Sequence, residues 1–242
     1  HAASVGEAVR VHPWTMRVLR EAQRMHERTG GVFDPTVARM LVAHKILPRP
    51  AGPTAEVDVR FADVVMLDEN RISKRRALWL DLGGIAKGYA VDRSIDILKN
   101  WGIKHATVSA GGDSRVLGDK RGRSWMVGIK NPRGEDAIAL TIPLTDSAIS
   151  TSGDYERYFI DEITGQRIHH ILNPQTGHSV GEVASVSVMG PQGFDSDPLS
   201  TTVFVLGAEK GLALIESMPG FDCIIIARDG KLSYSSGLGS PN

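Results

Sequence analysis

The sequence predicts an α+β fold, and three observations carry that reading. Helical and strand-like segments alternate irregularly along the 242 residues. Several successive strands are joined by turns too short for a helical crossover. Paired glycines stand where a strand gives way to the next element. Short turns join antiparallel strands, whereas a parallel doubly wound sheet needs a crossover between each pair.

The elements follow in order. Pro13 to Thr29 reads as an amphipathic helix, with Trp14, Val18, Ala22 and Met25 at helical spacing and Gly30-Gly31 as its stop. A second helix opens at Asp34-Pro35-Thr36, with Asp34 as N-cap and Pro35 at its first position. Pro48 to Pro53 is a proline-rich loop. Short strands are expected at Asp63–Leu67, Arg71–Lys74 and Ala77–Leu82. Ala86 to Trp101 is expected to be a helix that turns Tyr89, Val91, Ile95, Leu98 and Trp101 to the core, and Gly102 ends it. Further strands are expected at Lys104–Ala110, Trp125–Lys130, Ala137–Ile142 and Val183–Met189. Leu199–Leu206 and Glu209–Ser217 read as helices, and Phe221–Arg228 with Lys231–Tyr234 as a closing hairpin.

Composition narrows the function classes. Lys+Arg and Asp+Glu are 28 each, so formal net charge is +0 and a broad nucleic-acid surface is not expected. No apolar run approaches the ~18 residues that span a bilayer. Cys223, the single cysteine, lies in the apolar run Phe221–Ala227 and reads as a small core residue. One cysteine excludes an intramolecular disulfide and a cysteine-based zinc site. The chain opens on His1-Ala2-Ala3 without an initiator methionine, so the native N-terminus is expected upstream.

The segment Asp81-Leu-Gly-Gly-Ile-Ala-Lys-Gly-Tyr-Ala90 carries the most information. A strand ends in paired glycines, turns into a helix, and places Lys87 in the first turn. Glycine lets a backbone approach closely, and a helix N-terminus favours anions. The segment is neither a P-loop, which needs its lysine followed by Ser or Thr, nor a dinucleotide fingerprint, whose middle glycine is Ile85 here. A plain strand–helix turn and a phosphate cradle both fit these residues.

Four further segments are dense in small and polar residues. Ser109-Ala-Gly-Gly-Asp113 is either an ordinary turn or a second close-approach loop. Ser150-Thr-Ser-Gly153 groups three hydroxyls, as a strand edge or as donors to phosphate or ribose. Ser152 lacks the G-x-S-x-G setting of a nucleophile elbow. His169 and His170 are neighbours; on a strand they point to opposite faces, so one is expected at the site and the other toward solvent or a partner. Asp197 reads as an N-cap ahead of Pro198, with Thr201 four residues on along the same helical face. A carboxylate and a hydroxyl so placed also suit Mg²⁺, which takes few protein oxygens and keeps water or phosphate oxygens. Taken together, these segments point to a Mg²⁺-assisted phosphoryl-type enzyme acting on a phosphorylated ligand.

Six segments resemble, in order and spacing, the ApbE family of FAD:protein FMN transferases. They are Thr29–Val37, Asp81–Asp92, Ala110–Asp113, Ser150–Tyr158, His170–Gly177 and Asp197–Thr201. The resemblance runs from about Thr29 to the C-terminus and implies one transferase domain over residues 1–242, shortened at its N-terminus. It implies a two-lobed, T-fold-related α+β architecture with FAD between the lobes. It also implies a reaction: FMN passes from FAD to a threonine hydroxyl of an acceptor flavoprotein, such as a subunit of a respiratory redox complex, and AMP leaves.

By the same resemblance, Mg²⁺ would be held by the Gly84 carbonyl, Asp197 and Thr201. Asp81 and Lys87 would touch FAD, and Val32, Phe33, Asp34 and Ile171 would line its pockets. His170 would be the general base, a task that suits neutral imidazole. His169 receives no role. The implied location is the periplasmic side of a bacterial inner membrane, with a lipid anchor on the missing N-terminus. Two departures stand out. Ala43-His-Lys-Ile-Leu-Pro48 replaces a tryptophan-glycine-phenylalanine-glycine segment, and Asn173 replaces a frequent aspartate. A FAD pyrophosphatase that uses water as attacker, or a non-catalytic flavin-binding assembly factor, would share these motifs.

Overall fold

A computed structural model describes residues 1–134, 137–162, 165 and 167–239. The chain divides into two compact units. Unit 1 comprises His1–Gly84 and Arg157–Ser179; unit 2 comprises Ile85–Glu156 and Val180–Asn242. Helices and antiparallel strands are mixed in both, as an α+β class requires.

In unit 1, α1 (Pro13–Arg28) begins where His12 accepts a hydrogen bond from the Trp14 N–H at 3.2 Å. It buries Met16, Val18, Leu19, Ala22 and Met25. Trp14 is not part of that face: it is 53% exposed and meets His12 edge-on. It stands in the first turn, before the apolar stripe begins. Asp34 caps a 3-10 turn, Pro35–Val37, that leads into α2 (Ala38–Ala43). Strands β1 (Val9–Arg10), β2 (Val64–Met66) and β3 (Arg71–Lys74) form a sheet in the order β1-β3-β2. The expected strand Ala77–Leu82 is absent. Its residues are extended but tied to loops one at a time: Glu56 N–H to Ala77 O at 2.8 Å, Trp79 Nε1 to Pro53 O at 3.1 Å, and Asp81 N–H to Pro35 O at 2.8 Å. The apolar pattern there reflects burial of Leu78 and Trp79 rather than a ladder.

In unit 2, α3 (Ala86–Asn100) is followed by β4 (Ala106–Ala110) and β5 (Asp113–Leu117). Next come β6 (Trp125–Lys130), β7 (Ile138–Leu144) and β8 (Ala148–Gly153). In unit 1, β9 (Tyr158–Ile160) and β10 (Arg167–His169) pair with each other. Unit 2 closes with β11 (Val183–Gly190), α4 (Gly193–Glu216), β12 (Asp222–Ala227) and β13 (Leu232–Tyr234). Its main sheet is antiparallel, in the order β13-β12-β11-β8-β5-β4.

Alternation sorts the β8 side chains between two layers. Ser150 and Ser152 meet α4, whereas Ile149 joins Val116, Met189, Ile224 and Ile226 against the β6–β7 hairpin. The central strand β11 is buried at every position, which explains its nearly continuous apolar run. Cys223 is buried in β12 as a small core residue, and burial pushes its thiol up to about 12.

Two helix boundaries differ from expectation. Trp101 lies just past α3 and is 79% exposed, and Gly102, with φ 78°, ends the helix there. The expected helices 199–206 and 209–217 are one element, α4, which starts six residues earlier and breaks at Gly207 with φ 78° and ψ 180°. Asp197 is therefore not its N-cap. The Asp92 carboxylate on α3 accepts from the Gly193 and Phe194 N–H groups, both at 2.9 Å, and caps α4 from outside. Local sequence could not show a cap drawn from a residue 101 positions away. At 24 residues α4 is apolar enough by length and composition to cross a membrane, but half of its apolar window is buried within the fold.

Helices α3 and α4 meet through glycines. A Cβ on Gly88 would overlap the Gly193 carbonyl and lie 2.7 Å from the Asp197 Cβ. Gly88→Ala is expected to destabilise the protein by about 2 kcal/mol, as overpacking does. That corresponds to a Tm lower by roughly 4–8 °C, measurable by thermal denaturation.

Candidate active site

In unit 2, the first turn of α3 places Lys87 beside two carboxylates. Its ammonium donates to Asp113 Oδ2 and lies 3.3 Å from Asp197 Oδ1. Asp113 is delivered by the Gly111-Gly112 turn between β4 and β5, whose φ values of 54° and 95° favour glycine. Gly111 also leaves room for the lysine stem, since a Cβ there would lie 3.2 Å from Lys87 Cδ. Asp197 comes from the second turn of α4 and is held by the Gly88 N–H at 2.9 Å from Oδ2. Thus one residue of α3 fixes the carboxylate that its neighbour in sequence neutralises.

The electrostatics follow from burial. Both carboxylates are almost wholly buried, 1% and 2% exposed for Asp113 and Asp197. Burial pushes Asp197 up to about 7, helped by the Asp113 charge and opposed by Lys87 and the Gly88 N–H. Asp113 is also raised by burial, against the pull of Lys87 and the Ser150 hydroxyl. For Lys87, burial favours loss of the proton, but the two carboxylates outweigh it and the net shift is upward. One ammonium between two carboxylates leaves a surplus of negative charge out of water.

That surplus is what a divalent cation would relieve. Asp113 Oδ1 is buried and meets no donor in hydrogen-bond geometry among the described residues, although the Ser150 hydroxyl lies close enough to favour its charge. Among the described residues, no group of three His, Cys, Asp or Glu could hold a metal ion. A cation here would therefore complete its shell with hydroxyl, carbonyl or substrate oxygens, the habit of Mg²⁺. Thr201 offers a hydroxyl, now 3.2 Å from Ser152 Oγ. The Gly84 carbonyl, last in unit 1, receives no hydrogen bond among the described residues.

Hydroxyls tie α4 to the sheet. Ser150 meets Ser196 at 2.9 Å and Ser152 meets Ser200 at 2.8 Å; Thr151 meets Ser187 on the other face at 2.8 Å. The hydroxyl cluster read from the sequence thus serves largely as internal wiring. Asp92, besides capping α4, pairs with Arg115 at 2.7 Å.

Unit 1 carries the other expected residues. Phe33, Asp34 and Ile171 are buried, and Val32 is half-buried. Asp34 works as an organiser. Its Oδ1 accepts from the Thr36 N–H and hydroxyl at 2.8 and 2.6 Å, and its Oδ2 accepts from the Phe61 N–H at 3.2 Å. The Asp81 backbone is bonded to Pro35, so these two segments adjoin, and the Asp81 carboxylate accepts from the Gly83 N–H at 3.0 Å.

His170 follows β10, half-buried, with its N–H bonded to Arg157 O at 3.0 Å. His169 is fully buried rather than turned to solvent or a partner, and its Nδ1 accepts from the Ile171 N–H at 3.3 Å. Beyond it, Asn173 Oδ1 accepts from the Gln175 N–H at 2.8 Å and shapes the turn to Gly177. His44, in the segment that departs from the family pattern, reaches Gly177 O at 3.2 Å and fastens that turn.

Sequence reading placed Lys87, Asp197 and Thr201 but did not name Asp113 and Asp92 as site residues. The signal for Asp113 was present in the paired glycines before it. Asp92 had none, because its partners lie far along the chain.

Comparison with known proteins places the chain as a whole. The sequence model of the ApbE family matches residues 1–225. The FAD:protein FMN transferase of Treponema pallidum is 34% identical over 246 residues, covering 91% of this chain and 67% of that protein. That of Klebsiella pneumoniae is also 34% identical, covering 78% of this chain, which spans 60% of its length. The solved ApbE protein of Thermotoga maritima superposes with a TM-score of 0.84 at 34% identity, covering 97% of this chain and 79% of that one.

Removing the Asp197 charge tests the electrostatics. A carboxyl whose folded pKa of about 7 exceeds its unfolded value of about 3.9 binds protons more tightly when folded. In the metal-free protein, its stabilising contribution is full below about pH 4 and lost as pH rises to about 7. Asp197→Asn is expected to flatten that decline, seen as a smaller fall in Tm between pH 4 and pH 8.

Proposed function

The chain belongs to the ApbE family, and we propose that it transfers FMN from FAD to a threonine hydroxyl of an acceptor flavoprotein, releasing AMP. The observation that carries this reading is the Lys87–Asp113–Asp197 cluster at the start of α3, in a chain similar to named FAD:protein FMN transferases.

In the proposed reaction, the threonine oxygen attacks the FMN-side phosphorus of the FAD pyrophosphate. The bond from that phosphorus to the bridging oxygen breaks, and AMP leaves with the electron pair. His170 takes the threonine proton. Lys87 sets a positive charge against the pyrophosphate while remaining tethered to Asp113. Asp81 contacts FAD from the loop it braces at Gly83. Val32, Phe33, Asp34 and Ile171 contribute the wall of the flavin or adenine pocket.

The residues present fit a divalent ion, given the surplus negative charge and the unfilled Asp113 Oδ1. Asp197, Thr201 and the Gly84 carbonyl would hold Mg²⁺, which when bound lowers the charge of the pyrophosphate. The family's membrane redox acceptors extend the proposal to the periplasmic face of an inner membrane, which fractionation of cells producing the full-length protein would test.

Two variants test the roles. With FAD, Mg²⁺ and a threonine-bearing acceptor, His170→Ala is expected to lose transfer by at least ~100-fold while FAD binding persists. Mass spectrometry of the acceptor reads the first and fluorescence titration the second; undiminished transfer removes the proposed base. Asp197→Ala is expected to raise the Mg²⁺ concentration for half-maximal transfer by at least ~10-fold. An unaltered Mg²⁺ requirement removes Asp197 as a ligand. Release of free FMN and AMP without acceptor, as fast as transfer, would make water the natural attacker.

A further inference from the structure

Strand β4 forms one edge of the unit 2 sheet, with β5 as its neighbour on the inner side. The two strands are joined by the two-residue turn Gly111-Gly112, so Ala110 and Asp113 form the closing hydrogen-bonded pair. Hydrogen-bonded and non-bonded pairs alternate along an antiparallel ladder. Ala106, Val108 and Ala110 therefore turn their N–H and C=O groups toward β5, while Thr107 and Ser109 turn theirs outward. The partner of Thr107 agrees: the Val116 N–H points away from β4, to Ser147 O at 2.9 Å. Among the described residues, no hydrogen bond reaches the backbone of Thr107 or Ser109 from outside the sheet. Both residues are exposed.

An open edge invites pairing, and proteins usually guard it with charge, proline or brevity. The two edges of this sheet differ in that respect. The opposite edge, β13, is three residues long and runs into the 3-10 turn Ser236–Leu238, while a lysine flanks both edges, Lys231 before β13 and Lys104 before β4. Strand β4 has five residues, Ala-Thr-Val-Ser-Ala, with neither a charge nor a proline. Its C-terminal end also has a destination. Ala110 pairs with Asp113, and Gly111 lies against the stem of Lys87. A chain extended along β4 runs directly toward the charged cluster.

We propose that the β4 edge receives the acceptor: an extended, uncharged, hydroxyl-bearing segment of the substrate protein adds to the sheet as a further strand. The occupant's identity rests on the transferase reading; the open edge does not. Main-chain bonds to Thr107 and Ser109 supply the grip, as in other strand-addition complexes. Binding in this way reads backbone shape and small uncharged side chains more than a long sequence motif. The added strand carries its hydroxyl toward the end of β4 where Asp113 and Lys87 stand.

The probe is a seven-residue peptide of alternating threonine and valine, blocked at both ends, with a copy N-methylated at alternate amides. Residue-resolved hydrogen exchange by NMR should show the Thr107 and Ser109 amides slowed by the peptide and unaffected by the N-methylated copy. With FAD and Mg²⁺, the peptide should gain the mass of FMN. Thr107→Pro removes one outward donor while sparing the β4–β5 ladder, which is where edge strands tolerate proline. It should raise the KM for the peptide at least ~10-fold and leave kcat within about twofold, because it abolishes binding groups and no chemical ones.

Slowed exchange without FMN transfer supports the edge and overturns the transferase reading. FMN transfer without slowed exchange, equal binding of the N-methylated copy, or no binding of either peptide overturns the edge proposal. Slowed exchange that grows with the concentration of the protein alone identifies a second copy as occupant, and that also overturns it.

Discussion

The site depends on one ammonium placed between two buried carboxylates. Lys87, Asp113 and Asp197 come from three elements, α3, β5 and α4, and the two buried carboxylate charges depend on the ammonium between them. The arrangement is also incomplete, since two carboxylates outnumber one ammonium. A fold stabilised by this cluster alone would be better served by a neutral core, because buried ion pairs seldom outweigh their desolvation. The imbalance is one that the divalent ion of the proposed function would offset.

The approach of α3 to α4 makes that placement possible. Gly88 and Gly193 remove side chains from the crossing, so a backbone N–H of one helix reaches the carboxylate of the other. Asp92, one turn further along α3, satisfies two N–H groups at the start of α4 that would otherwise lack partners. Arg115 holds the Asp92 carboxylate in turn. The chain from Arg115 through Asp92 to α4 therefore sets where Asp197 can be.

What the sequence revealed and what it hid divides along distance. The cap at Asp34, the glycine turn before Asp113 and the strand–turn–helix around Gly84 were legible because the residues that cause them are neighbours. The true start of α4 was not, because its cap is Asp92 on another helix. Trp14 and Trp101 misled for a related reason: each sits at a helix end, where periodicity assigns a face that packing no longer requires. Ala77–Leu82 has the apolar content of a strand but no partner strand, and content alone cannot distinguish the two. For the site, motif order singled out Lys87, Asp197 and Thr201, while only the fold shows Asp113 buried beside Lys87. His169 shows the same limit, since adjacent histidines look alike in sequence although one is fully buried and orders the backbone of Ile171.

The paired serines of β8 and α4 have a consequence in mechanics. Two residues along a strand advance about 6.6–6.8 Å, and four along a helix advance about 6.0 Å. Ser150 and Ser152 therefore mesh with Ser196 and Ser200 almost tooth for tooth. The pair behaves as a two-toothed ratchet. It favours one setting of α4 along β8, because a slip by a single helical residue, about 1.5 Å of travel and 100° of rotation, would carry Ser196 away from Ser150. Asp197 rides between the teeth, so its position is indexed by hydroxyls that take no charge and need no metal.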